Sequence, residues 1–225
     1  MKKIFWILGM VFVMAGCGGE KIGLRTGDLV FVGLPHDVTL SDEGAEGAIA
    51  AATGEGELNF IHVAIVEVDP CDSVWIVDAT LRHGVARYPL REFLSDFTRS
   101  DGSFPAFVVM RPDGDEDALE GYVQNAKAFI GKPYDTAFLP GNDARYCSEL
   151  VRDSYVTSDG EYLFDTVPMN FKNSDGEFPP YWVRLFSRIG EPVPQGLPGT
   201  NPQAMSSSAI LHKVDIDLVA LYFGG

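Results

Sequence analysis

The sequence predicts an α+β domain in which an antiparallel sheet packs against helices and a cysteine sits at a helix N-terminus. Three observations carry the prediction. Hydrophobic residues make up 46% of 225 and charged residues 22%, a globular composition with enough apolar mass for one core. The residue patterns run strand, strand, strand, helix, helix, an order that fits α+β better than alternating units. Two β-branched runs, 61–68 and 74–79, are joined by the turn Asp69-Pro70-Cys71-Asp72-Ser73, as in a hairpin.

The front of the chain stands apart. Lys2 and Lys3 precede an apolar run from Ile4 to Ala15, the length of a signal-peptide core and too short for a bilayer. The run ends in Met14-Ala15-Gly16-Cys17, which is similar to a bacterial lipobox. Residues 1–16 then read as a lipoprotein signal peptide, 17–25 as a lipidated tether and 26–225 as the folded domain. Lipid on Cys17 would hold the domain on a membrane surface of the cell envelope, facing the periplasm or exterior.

Within the domain, Gly27-Asp28-Leu29-Val30-Phe31-Val32 reads as the first strand. Residues 34–58, rich in Gly, Ala and Glu, read as a surface insertion or lid. The hairpin follows, then a possible strand at 85–90 and a further one at 104–110. Ala118, Leu119, Tyr122, Val123, Ala126, Phe129 and Ile130 keep the spacing of one helical face. Acids at 113–117 suit the start of that helix and Gly131 its end. A shorter helix is expected over 146–156. The stretch 159–208 reads as long loops, and 210–223 as a closing strand.

Charge excludes one function class. There are 17 Lys+Arg against 32 Asp+Glu, a net charge of -15, which would repel a nucleic-acid backbone. Three Cys are too few for a disulfide scaffold.

Three residues suggest chemistry. Cys147, in Arg145-Tyr146-Cys147-Ser148-Glu149-Leu150-Val151, falls at a helix start. The free N–H groups there favour a thiolate by roughly 0.3–1 kcal/mol, although most such cysteines are simply core residues. His62 and Asp78 each lie inside an apolar strand, and a carboxylate in that setting is costly unless paired. If Val68 opposes Val74, paired numbers sum to 142; His62 and Asp78 are then diagonal neighbours on one face. An imidazole backed by a carboxylate is the base-and-orienter half of a catalytic triad. A zinc site from His62, Asp78 and His83 lacks the usual ligand spacing. A Cys71–Cys147 disulfide would abolish the nucleophile.

Gly131-Lys132-Pro133-Tyr134-Asp135, followed by Tyr146-Cys147-Ser148-Glu149-Leu150-Val151, resembles the nucleophile motif of NlpC-type papain-like peptidases. Here the His strand precedes that motif, an order similar to the circularly permuted YiiX/YaeF-like papain-like amidases. The resemblance covers roughly residues 26–156. It implies a papain-like fold, Cys147 as nucleophile, His62 as general base and Asp78 as its orienter. It also implies Tyr134 as a cleft residue able to donate to an oxyanion. The implied reaction is acyl transfer through a thioester, with no metal or organic cofactor. Cell-wall peptides are the substrates the wider family suggests, with N-acyl amides or acyl esters close behind. A binding lipoprotein that kept the fold without the activity is the competing class.

Overall fold

A computed structural model describes residues 23–35, 44–53 and 57–224. The expected signal peptide at 1–16, Cys17 and most of the expected tether at 17–25 lie outside the described residues. Six strands form one sheet in the order β4-β3-β2-β1-β5-β8, and each neighbouring pair is antiparallel. They are β1 Leu29–Pro35, β2 Leu58–Val68, β3 Val74–Thr80, β4 Gly84–Pro89, β5 Ala106–Pro112 and β8 Leu211–Val214. The predicted hairpin keeps its register, with Val68 opposite Val74 and Ile65 opposite Val77.

Both faces of the sheet are covered. On one, Leu29, Phe31, Val63, Ile65 and Val77 meet α3, Glu116–Lys127, and α4, Cys147–Ser154. The expected face of α3 is the one buried, through Leu119, Tyr122, Val123 and Ala126. Asp115 caps this helix by accepting from the Ala118 N–H at 2.9 Å. On the other face, Val30, Val32, Ala64, Val66 and Ile76 meet Leu90, Phe93 and Leu94 of α2, Leu90–Asp96. Strand β2 is buried along most of its length. That explains why its residues read as a continuous apolar run rather than an alternation.

Four expectations need correcting. The possible strand at 85–90 stops at Pro89, and α2 starts at Leu90 because Leu90, Phe93 and Leu94 repeat at helical spacing. Residues 34–58 include a helix, α1 Ala45–Thr53, which buries Gly47, Ala48 and Ala50. The stretch 159–208 holds α5, Pro180–Ile189, and α6, Pro202–Ser206, each with Pro at its first turn, along with the short pair β6, Val167–Pro168, and β7, Pro198–Gly199. The closing strand ends at Val214; Asp217 then caps α7, Leu218–Phe223, by accepting from the Ala220 N–H at 2.9 Å.

Those corrections matter for the site. Ala48 of α1 packs with Trp182 and Phe186 of α5 and with Met169 and Phe171, a third apolar cluster beside the sheet. Phe138, held at φ +53°, ties this cluster to the start of α4. Its ring stands edge-on to Trp182 with centroids 5.5 Å apart, and 5.2 Å from Tyr146.

Candidate active site

Strands β2 and β3 deliver a histidine and an aspartate. Their ladder ends at Ile65–Val77, and His62 and Asp78 lie just beyond it. The His62 ring turns its Nε2 onto the Asp78 carboxylate, 2.8 Å from Oδ1 and 2.9 Å from Oδ2. Both residues are buried. The ring is braced from the α2 side by Phe97 and Phe93, at centroid distances of 5.0 and 6.1 Å.

Asp78 is more fully satisfied than the sequence suggested. Beyond His62, it accepts from the Ala79 N–H at 2.6 Å and from the Tyr88 hydroxyl at 2.8 Å. Three donors to one buried carboxylate offset its desolvation. Sequence reasoning missed Tyr88. The signal was available: β4 puts Ala86 opposite Asp78 and Tyr88 opposite Ile76, so the pairing rule that joins His62 to Asp78 also places Tyr88 on their face.

Cys147 stands at the first position of α4, directly after the cap residue Tyr146. It is buried and belongs to the cluster on the α3–α4 face. Neither Cys71 nor Cys147 forms a disulfide with the other, and Cys71 is exposed. Burial pushes the His62 pKa down, but the Asp78 carboxylate and then the Cys147 sulfur, by charge and hydrogen bonding, raise it to about 10. The sulfur is thus close enough to the imidazole for its charge to act on the ring. With Nε2 on Asp78, Nδ1 is the nitrogen left for it. The structure therefore brings Cys147, His62 and Asp78 together.

Tyr134 joins them from the strap before α4. The Asp135 N–H donates to the Arg145 carbonyl and the Arg145 N–H to the Pro133 carbonyl, both at 3.1 Å. This fixes Tyr134 beside the residues that lead into Cys147. Burial, then the charges of Cys147 and Asp78, hold the phenol's pKa well above its ordinary value. It therefore stays a hydrogen-bond donor. Glu149, two residues past the nucleophile, is pushed up to about 8 by burial, against the opposing charge of Arg145.

Cys147 and Tyr134 open onto a cavity of about 610 Å³. Its apolar wall includes Ile49, Ile61, Phe138, Phe171 and Trp182. Residues from 34–58, the suspected lid, and from the expected loops of 159–208 supply much of the lining. They are tied together where the Asn170 side-chain amide donates to the Ala52 carbonyl at 2.9 Å. The tail is fixed to the nucleophile's helix as well: the Thr200 hydroxyl donates to Ser148 Oγ at 3.0 Å and the Thr200 N–H to the Tyr146 hydroxyl at 3.0 Å.

His83 does not join His62 and Asp78. Its Nε2 faces Asp96 at 3.4 Å, and among the described residues His83, Glu92 and Asp96 are the group whose donor atoms could surround a metal, all within 4.8 Å of one another. Asp96 already carries the Arg82 guanidinium at 2.6 Å. That pairing suits a surface ion-pair cluster, and no chemical step here needs a cation at it.

The family described as permuted papain-like amidase enzyme, YaeF/YiiX, C92, matches residues 23–215. An uncharacterized protein of Escherichia coli K12, YiiX, is 26% identical over 193 residues, spanning 84% of this chain and 85% of that one. A crystal structure titled metalloprotein yiiX, from Escherichia coli O157:H7, superposes with a TM-score of 0.66 at 24% identity, covering 87% of this chain and 98% of that one. No described helix is long and apolar enough to cross a membrane. Strand order, helix placement and the extent of the match lead to one assignment: the chain belongs to the permuted papain-like amidase family, a family of cysteine amidases and peptidases.

Proposed function

We propose that the protein is a lipid-anchored cysteine hydrolase that cleaves amide bonds with Cys147, His62 and Asp78. The observation that carries this reading is the pairing of His62 with Asp78 at 2.8 Å while the same ring is raised by Cys147. The Cys147 sulfur attacks the carbonyl carbon, and the Cys147 N–H and the Tyr134 hydroxyl receive the oxyanion. The His62 imidazolium gives its proton to the departing nitrogen, leaving a thioester. Water, losing a proton to His62, then attacks that thioester and releases the acid. Asp78 keeps the ring oriented throughout.

Two substrate classes follow from the family, cell-wall peptides and N-acyl or acyl-ester lipids. The cavity offers surface to acyl chains and to amide groups alike. Its wall sets Ile49, Ile61, Phe171 and Trp182 beside Asn170, Asn173, Asn201 and Gln203, and among the described lining residues Lys172 is the one that carries a charge. Lipid on Cys17 would place such a cavity at a membrane surface, in the cell envelope.

Iodoacetamide labelling tests the nucleophile. Cys147 should react well below pH 8 and much faster than Cys71, and His62→Ala should slow it. Equal rates at the two cysteines in both proteins would favour the binding-protein reading. Turnover of decanoyl p-nitroanilide against a wall tripeptide, with Cys147→Ala as control, separates the substrate classes.

A further inference from the structure

The cavity contains a donor that the reaction above does not use. Gln203 of α6 is part of its lining. The Gln203 side-chain oxygen Oε1 accepts from the Phe60 N–H of β2 at 2.8 Å. That bond settles the orientation of the carboxamide, because only its oxygen can accept. The other end is an NH₂, and among the described residues it has no acceptor.

The group is held at both ends. Asn201 caps α6 by accepting from the Ala204 N–H at 2.7 Å, Pro202 and Met205 are buried, and Thr200 is bonded to Ser148 and Tyr146 as described. The Phe60 N–H holds the carboxamide itself. A donor fixed on the cavity wall needs an acceptor, from water or from the ligand. A ligand that displaces that water without supplying an acceptor leaves the donor unpaired, and discrimination of this kind is strong.

We propose that Gln203 is a specificity-determining residue. The substrate carries, besides the carbonyl attacked by Cys147, a second carbonyl oxygen that accepts from the Gln203 amide. It is then an N-acylated amino-acid or peptide amide rather than a plain fatty amide or ester. This inference rests on the reading of the site given above.

The test pairs two substrates with two variants. N-Decanoylglycine p-nitroanilide has the second carbonyl; tridecanoyl p-nitroanilide has the same chain length without it. Gln203→Glu keeps an acceptor for the Phe60 N–H and loses the donor, whereas Gln203→Met loses both. The wild type should prefer the glycine compound by about tenfold or more in kcat/KM, and both variants should bring that ratio to within about twofold. Iodoacetamide labelling of Cys147 in the absence of ligand should be unchanged. A structural clip would instead lower both substrates equally, and that result, or a wild type indifferent to the second carbonyl, overturns the proposal. If Gln203→Met fails to fold, Gln203→Glu decides. The matching methylamides, used to protect Cys147 from labelling, give the same comparison without turnover. A Cys147 no more reactive than Cys71 would show the failure of the underlying reading instead, and this inference would fall with it.

Discussion

Replacing Asp78 by Asn changes one charge and almost no volume. Burial alone favours a neutral His62 ring, yet Asp78 and Cys147 hold its pKa at about 10 against an ordinary 6.5. The two partners therefore favour the imidazolium by about 5 kcal/mol or more. Asp78 lies 2.8 Å from the ring as a full charge, so Asp78→Asn should lower the midpoint by about one to three pH units. The Asn oxygen can still accept from Nε2, so ring orientation survives and the effect is one of charge. The ring resonances of His62 in an NMR titration read the midpoint directly. Stability gives a second reading. A folded-state pKa above the unfolded one contributes stability that is fully present below pH 6.5 and is lost as pH rises through about 10. Wild-type unfolding free energy should therefore fall across that window, and the variant's should fall much less. A midpoint within about half a unit of wild type would refute the claim that Asp78 sets the charge state of this ring.

Three other perturbations follow from the same geometry. Tyr88→Phe removes the hydroxyl that donates to Asp78 at 2.8 Å; urea unfolding should show a loss of about 1.5–3 kcal/mol, with slower amide hydrolysis, and an unchanged midpoint would contradict it. Glu149 is raised from 4.5 to about 8 by burial, so the fold loses stability as pH climbs from 4.5 through 8. Glu149→Gln keeps an acceptor for the Tyr146 N–H and should match wild type near pH 4 while gaining on the order of 2–4 kcal/mol by pH 9. Gly84 lies at φ +63°, and an added Cβ would sit 2.5 Å from the Lys132 carbonyl oxygen. Gly84→Ala should cost about 2 kcal/mol or more in thermal unfolding and disturb the strap that carries Tyr134.

The hairpin was legible because a period of two holds up to the bulge at Ile61: fixing Val68 opposite Val74 places the even residues 62–68 and 74–78 on one face. The nucleophile's helix was legible from its local pattern. Other parts were hidden for identifiable reasons. Gln203 meets Phe60 across 143 residues of sequence, a contact no local pattern encodes. Helix α1 is built from Ala and Gly, whose small side chains give little amphipathic signal, and it is defined by what it packs against. The tail reads as loop because Pro and Gly dominate it, although Pro180 and Pro202 are in fact helix-starting positions.

The same hairpin shows why the strands must part where they do. His62 and Asp78 share the face of Ala64, Val66 and Ile76, against the α2 rings, whereas Cys147 belongs to the cluster on the opposite face. A continuous ladder would put the backbone of β2 and β3 between the sulfur and the ring. Their pairing ends at Ile65–Val77, and β2 slips register against β1 between Val32–His62 and Gly33–Phe60, leaving Ile61 as an extra residue that lines the cavity. The opening lets groups from two layers meet without either leaving its own core. The polar atoms freed by the lost pairing find other partners: the Phe60 N–H is taken by Gln203, and Asp78 collects His62, Tyr88 and its own neighbour's N–H. An interrupted sheet whose freed Phe60 N–H is rebonded, beside a carboxylate that gathers three donors, is the arrangement a buried charge pair needs.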